Sequence, residues 1–345
     1  MGFYQAMQLS AANLKPLIKN AESKETKNKY IAALILKSIL CLLFCTIVVI
    51  SCGKVFGEEN NVVGVVTVIS LLNFKVRQAA LTIVGIFGVL SISPYIASIS
   101  NPFLGFIINF ISIIGILILT CHNVRLCNHS ILVLSYFLLY GYKVENTEIL
   151  INRIIGLIFG GILVASIFYI KQRKIEFKNT FIDIINDVDF NTERTKWQLK
   201  FAFVTTSAIM IGEFLHIPRV MWIGIACMSV FHPDKSQLQI RYKQRMLYMV
   251  LGCLMYMSIY FLIPQQFRGL IGLIGGVMIG FSGTYKWQTV FNAFGALSAA
   301  TPILGFGGAI IFRILNNVFG ALYSKGFDYI INFIDNKEFA NVNEA

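Results

Sequence analysis

Long apolar runs separated by short polar loops extend through most of this chain. A helix that spans a bilayer needs roughly 20 apolar residues, and fewer where it is broken or buried among other helices. Long runs cover residues 30–52, 78–99, 102–121, 154–170, 197–215, 246–263, 288–304 and 307–323. Shorter runs cover residues 62–72, 130–142, 220–231 and 270–282, and each fits either a short span or a re-entrant segment. The pattern predicts an all-α polytopic membrane protein with about twelve transmembrane segments.

Composition excludes a soluble globular protein. Hydrophobic residues make up 56% of the chain and charged residues only 13%, and the mean hydropathy is +0.70. Soluble domains carry about a quarter charged residues, so this chain has too little polar surface to face water on all sides. The cysteines are scattered without regular spacing, which is typical of small core residues and not of a disulfide framework.

The distribution of basic residues indicates orientation in a membrane. A net charge of +12 could point to nucleic acid, but the lysines and arginines lie in short loops between apolar runs, so no nucleic-acid partner is expected. With a cytoplasmic N-terminus and an even number of spans, most of the 29 basic residues fall on the cytoplasmic side. We therefore expect a multi-pass protein of the inner or plasma membrane with both termini cytoplasmic. The first 29 residues lack a signal-peptide layout, so the first apolar run is expected to act as the signal.

Similar segments recur at an offset of roughly 160 residues. Val63-Gly-Val-Val reappears as Ile223-Gly-Ile-Ala, and the segment from Arg153 to Gly160 reappears from Arg313 to Gly320. Each half has an even number of predicted spans, so the halves must have the same orientation. This predicts two parallel six-helix repeats related by a pseudo-two-fold axis along the membrane normal.

The repeats divide the chain into predicted segments. A cytoplasmic N-terminal segment covers 1–29, the first membrane repeat 30–175 and the second repeat 197–325. An amphipathic cytoplasmic linker covers 176–196, and a C-terminal helix and tail cover 326–345. We expect the two amphipathic stretches to pack on each other or on the cytoplasmic ends of the bundle.

Basic residues at or near membrane depth occur in pairs between the two halves, whereas acidic residues there are nearly absent. A lysine or arginine at the centre of a spanning helix costs about 2.5–3.5 kcal/mol on insertion scales. Such residues can snorkel to headgroups, bind helix C-terminal carbonyls or anchor topology; alternatively, they line a pathway whose positive walls favour anions. The candidate residues for this anion path are Lys37 with Lys200, Arg153 with Arg313, and Arg77 with Arg245.

Other chemistry is poorly supported by the sequence. Cys121, His122, Cys127 and His129 have a spacing that could suit a metal, but Arg125 lies among them and would repel a cation. The chain has no phosphate-binding loop with a Gly-Lys-Ser/Thr ending and no intramembrane aspartate pair. We therefore expect no enzyme activity, no cofactor and no metal.

The second half contains a recognisable stretch. It reads Met221-Trp-Ile-Gly224, followed by the basic segment from His232 to Arg245 and then Gly252. This stretch resembles the fusaric acid resistance-like proteins, which include bacterial aromatic acid exporters. The first half, from Val62-Val-Gly64 to Arg77, is a looser copy that lacks the tryptophan and the proline.

The resemblance implies an inner-membrane efflux protein for aromatic or other organic acids. It also implies an organisation similar to that of the plant aluminium-activated malate transporters, in which two six-helix subunits enclose a basic anion pore. One hypothesis is thus an exporter of organic, in particular aromatic, anions through a basic pathway between the repeats. The alternative is a non-transporting scaffold that binds anionic lipid and a cytoplasmic partner; a proton-coupled or cation carrier is disfavoured by the missing acidic residues. The oligomeric state is left open.

Overall fold

The computed structural model describes residues 1–73, 80–121, 129–172 and 181–344, and the side chains of these residues except 73, 80, 81, 129, 172, 235 and 334–344. Within this part of the chain, every regular element is a helix. The helices are α1 Phe3–Gln8, α2 Ala11–Lys19, α3 Lys24–Phe56, α4 Asn61–Asn73, α5 Ala80–Ile99, α6 Pro102–Thr120, α7 His129–Gly141, α8 Thr147–Gln172, α9 Phe181–Asn186, α10 Glu193–Phe214, α11 Met221–Val230, α12 Lys235–Leu262, α13 Leu270–Phe281 and α14 Tyr285–Glu344. Short 3₁₀ turns occupy Glu58–Asn60 and Gln265–Phe267.

Within the described residues, each predicted apolar run lies on a helix to within one or two residues at its ends, and local sequence explains several helix ends. Asn101 accepts a hydrogen bond from the Leu104 amide at the start of α6, where Pro102 occupies the first turn. Thr192 caps α10 in the same way. A break at Gly305, with φ 71° and ψ 164°, divides α14 between the predicted runs 288–304 and 307–323.

Among the described residues, six helices are long and apolar enough to cross a membrane. They cover Lys24–Phe56, Thr82–Ile99, Pro102–Thr120, Thr147–Lys171, Ser236–Leu262 and Tyr285–Phe333. Shorter apolar helices cover Ser130–Gly141, Met221–Val230 and Leu270–Phe281. The protein is therefore a helical multi-pass membrane protein, whereas twelve spans and two repeats stay predictions.

Helix α8 shows how the fold distributes polar and apolar groups. Its large apolar side chains Ile151, Ile155, Ile158 and Ile162 are exposed, at helical spacing, and form a stripe along one face. Arg153 on the same helix is only 3% exposed. An exposed apolar stripe beside a buried arginine fits a helix whose outer face contacts acyl chains.

Residues group into two compact units. The first unit contains Met1–Thr46 and Ile240–Val318, and the second contains Ile47–Gln239 and Phe319–Ala345. The units are defined by contacts between residues, whereas the repeats were predicted from sequence similarity. The units therefore do not test the predicted repeat boundaries, which stay a prediction.

The first unit contains an N-terminal core. Side chains of α1 and α2 pack against the start of α3, and the core consists of Ala6, Leu14, Tyr30, Ala33 and Leu34. In the same unit, α12 and α14 approach closely at Gly252, where an added Cβ would lie 2.6 Å from the Val290 carbonyl oxygen. In the second unit, α5 packs against α6, α7 and α8, and α10 packs against α6 and α11.

Candidate anion-binding site

Two of the predicted arginines lie together in the first unit. Arg245 on α12 is 4% exposed and Arg313 on α14 is 3% exposed. Arg245 donates hydrogen bonds from Nε and Nη2 to Oδ1 of Asn317, at 3.0 and 2.6 Å. Asn317 in turn donates from Nδ2 to the carbonyl oxygen of Arg313, one helical turn earlier, at 2.7 Å. One neutral amide therefore links the two arginines.

In the segment from residue 235 to residue 327, which contains both arginines, every charged side chain is positive. Arg245 and Arg313 are close enough for their positive charges to interact unfavourably. The sequence from residue 235 to residue 327 contains no Asp or Glu, so the larger segment of the first unit supplies no carboxylate; its N-terminal segment contributes only Glu22 and Glu25. Two like charges held together in a region of low dielectric constant favour the binding of an anion, which lowers their mutual repulsion.

Arg153, the counterpart of Arg313 in the predicted repeat, has different surroundings. It lies in the second unit and donates from Nε to Oδ1 of Asn60 at 3.0 Å and from Nη1 to the carbonyl oxygen of Tyr142 at 2.7 Å. Its Nη2 reaches the carbonyl oxygen of Lys143 at 3.4 Å. Asn60 also donates to the carbonyl oxygens of Phe56 and Ile149. Arg153 therefore ties the start of α8 to the α7–α8 connection and to the end of α3.

Lys37, another of the predicted path residues, contacts a helix end. Lys37 donates from Nζ to the carbonyl oxygen of Leu9, the C-cap residue of α1, at 2.6 Å. This is the helix-end contact that the sequence offered as an alternative to an anion path. Lys200 is half-buried on α10 in the second unit. Arg77 lies outside the described residues, and a single path lined by all these residues stays a prediction.

Sequence reasoning missed the two asparagines. Asn317 and Asn60 are 2% and 1% exposed, and each accepts a hydrogen bond from a buried arginine. The available signal was the Asn316-Asn317 pair one turn after Arg313 in an otherwise apolar run. A buried amide must satisfy its hydrogen bonds, so its position in such a run indicates a polar partner.

The possible metal cluster lies only partly within the described part of the chain. His122, Arg125 and Cys127 lie outside the described residues, and the side chain of His129 is not described. Cys121 is buried at the end of α6, where its carbonyl oxygen accepts a hydrogen bond from Gln198.

Comparison with known protein families gives a match over part of the chain. Residues 207–324 match the family described as fusaric acid resistance protein-like. The chain matches no curated protein and no solved structure. The matched range begins in α10, ends in α14 and includes Arg245, Arg313 and Asn317. The matched range covers 118 of the 345 residues, so the comparison shows a similarity to this family over that part of the chain.

Proposed function

We propose that this protein exports organic anions, aromatic acids in particular, across the plasma membrane. The observation that carries the proposal is the buried Arg245–Arg313 pair, whose charges interact within a stretch without acidic residues. A pathway with positive walls attracts anions and repels cations. The anion path runs between the two repeats, and the arginine pair forms its basic element in the second repeat.

Burial of the charges favours transport over the scaffold alternative. A scaffold that binds anionic lipid would present its basic groups to headgroups, whereas the exposed fractions of Arg245 and Arg313 are 4% and 3%. Burying an arginine costs free energy that contact with an anion inside the protein can offset. A buried pair is therefore better placed for a solute within the protein than for a lipid around it.

The membrane potential is sufficient to drive this export. An inside-negative potential favours outward movement of a monovalent anion by about 2.3 kcal/mol per 100 mV. An exporter of this kind needs no coupled proton or sodium ion, which fits the scarcity of acidic residues in the predicted spans. Both termini are placed on the cytoplasmic side in this proposal.

Efflux from proteoliposomes tests the proposal. Vesicles containing the purified protein are loaded with labelled benzoate or succinate, and an inside-negative potential is set with potassium and valinomycin. We expect wild-type protein to release benzoate and Arg245→Gln or Arg313→Gln to slow release roughly tenfold or more. Lys286→Gln is the matched control, because Lys286 is a basic residue of the same unit outside the pair.

The outcomes separate transport from the scaffold. The elution profile and thermal unfolding establish that each variant is folded. Where Arg313→Gln does not fold, Arg313→Lys replaces it, because this variant keeps the positive charge. Wild-type protein that releases neither anion, or folded glutamine variants that release benzoate at the wild-type rate, would overturn the proposal. Retention of anionic lipid without any flux would favour the scaffold.

A further inference from the structure

A cluster of aromatic side chains surrounds the end of α12 in the first unit. The rings of Tyr260 and Phe306 are stacked, with centroids 4.5 Å apart and an interplanar angle of 29°. Phe261 meets Phe306 edge-on, with ring centroids 5.1 Å apart, and the centroid of the Tyr256 ring is 6.5 Å from that of Phe306. Phe261 is 66% exposed, whereas Tyr256 is only 1% exposed. The cluster thus has a buried base and an open aromatic edge.

Arg268 is fixed against this cluster. It lies between the 3₁₀ turn Gln265–Phe267 and α13, and its Cζ is 4.2 Å from the centre of the Tyr260 ring. Its Nε donates to the backbone carbonyl oxygen of Tyr260 at 3.1 Å. Among the described residues, no carboxylate forms an ion pair with Arg268, and none exists in its own sequence neighbourhood from 235 to 327. These contacts orient the guanidinium and leave its two terminal amino groups for another partner.

We infer that Arg268, Tyr260, Phe261 and Phe306 form a binding site for an aromatic carboxylate. The inference rests on the proposed function and adds a site outside the residues predicted for the path. A guanidinium binds a carboxylate through two parallel hydrogen bonds, and the rings of Phe261 and Phe306 offer stacked or edge contacts to an aromatic body. The positive charge of Arg268 excludes amines and metal ions of similar size.

The position of the cluster indicates when the anion reaches it. In the predicted topology, the loop after residue 263 and the break at residues 304–307 both lie on the side opposite the termini. The site would therefore bind the anion at the non-cytoplasmic end of the proposed pathway. Gly305, with φ 71°, immediately precedes Phe306 and breaks α14 at this point. Phe306, whose ring stacks on Tyr260, is the first residue after this break.

Equilibrium binding to the purified full-length protein tests the site. Benzoate is titrated into protein in neutral detergent and the heat of binding is measured. We expect Arg268→Gln to weaken benzoate binding roughly tenfold or more, because it removes charge-assisted hydrogen bonds. Arg241→Gln is the matched control: Arg241 also lies over a tyrosine ring of this unit, at 5.0 Å from the Tyr285 centroid, and its loss leaves binding unchanged.

Two comparisons address the aromatic part and the source of the anion. Cyclohexanecarboxylate has the same charge without a π-system, and we expect it to bind about threefold or more weakly than benzoate, a difference that Phe306→Leu removes. The titration is repeated in nanodiscs with and without phosphatidylglycerol. If anionic lipid abolishes benzoate binding, Arg268 serves a headgroup phosphate and the inference is wrong.

Failure of this inference is distinguishable from failure of the proposed function. If wild-type vesicles release benzoate but folded Arg268→Gln binds benzoate like wild type, the site is wrong and transport stands. If Arg268→Gln weakens binding while wild-type vesicles release nothing, the site stands and transport does not. Where Arg268→Gln does not fold, Arg268→Lys replaces it. Lysine keeps the charge but cannot form the bidentate pair of hydrogen bonds, so benzoate binding should still weaken several-fold.

Discussion

Replacing Gly305 by alanine isolates a purely conformational cost. Gly305 has φ 71° and ψ 164°, a combination that side-chain-bearing residues essentially never adopt. A Cβ built there meets no atom within 4 Å, so alanine would make no steric clash with the rest of the protein. We therefore expect Gly305→Ala to lower the free energy of unfolding by about 1–3 kcal/mol through backbone strain alone.

Gly307 provides the matched control. A Cβ at Gly307 also meets nothing within 4 Å, and its φ lies outside the positive region. Gly307→Ala should therefore stabilise the protein by about 0.4–1 kcal/mol, because it restricts the unfolded chain. Unfolding of both variants is followed by circular dichroism during titration of a mild-detergent micelle with a denaturing detergent. Equal effects of the two alanines would refute the assignment of strain to residue 305.

Three further predictions concern other parts of the chain. Arg153→Gln should destabilise the protein by about 1–3 kcal/mol, since it leaves buried hydrogen-bond acceptors without a donor; thermal unfolding measures this. Gly252→Ala should cost about 1–3 kcal/mol, because its Cβ would lie 2.6 Å from the Val290 carbonyl oxygen; unfolding measures this too. Hydrogen bonds from Ser236 hold the pKa of Asp234 below its ordinary value. The ionised carboxylate therefore stabilises the start of α12 at every pH above the ordinary pKa of an aspartate. This stabilisation is lost as the pH falls through the lowered pKa of the folded state. Ser236→Ala should move that loss to higher pH in an unfolding series.

A specific result would contradict each of these three predictions. Gly295→Ala is the control for Gly252, since a Cβ there meets nothing within 4 Å, and equal destabilisation would contradict the packing argument. Wild-type stability of Arg153→Gln would show that its hydrogen bonds are replaceable. If Ser236→Ala loses stability at the same acidic pH as the wild type, Asp234 does not contribute to the pH dependence of stability.

The helices were largely predictable from the sequence, because apolar runs of this length have few alternatives in a membrane. The first 29 residues were read only as a polar cytoplasmic segment, yet they contain α1 and α2. Ala6 and Leu14 are fully buried there against the start of α3. Short helices of this kind are stabilised by tertiary packing and not by their own periodicity, so the local pattern did not reveal them.

The candidate site was predictable only in part. The predicted repeat made Arg153 and Arg313 look equivalent, but backbone carbonyls and Asn60 bind Arg153, whereas Arg313 lies beside Arg245. The contact between Arg245 and Asn317 joins residues far apart in the chain, and hydropathy carries no information about such pairs. Arg268 was not singled out because a lone loop arginine has no distinctive pattern until the fold places it over Tyr260.

The stretch from residue 235 to residue 327 has a consequence for how acidity affects the protein. It lacks histidine as well as aspartate and glutamate, and lysine and arginine keep their charge throughout the neutral and mildly acidic range. Acidification therefore does not reverse or cancel the sign of this stretch. Under the proposed function, the response of export to pH should follow the ionised fraction of the substrate. Flux of a permanently charged aromatic sulfonate should then stay constant where flux of a weak carboxylic acid falls.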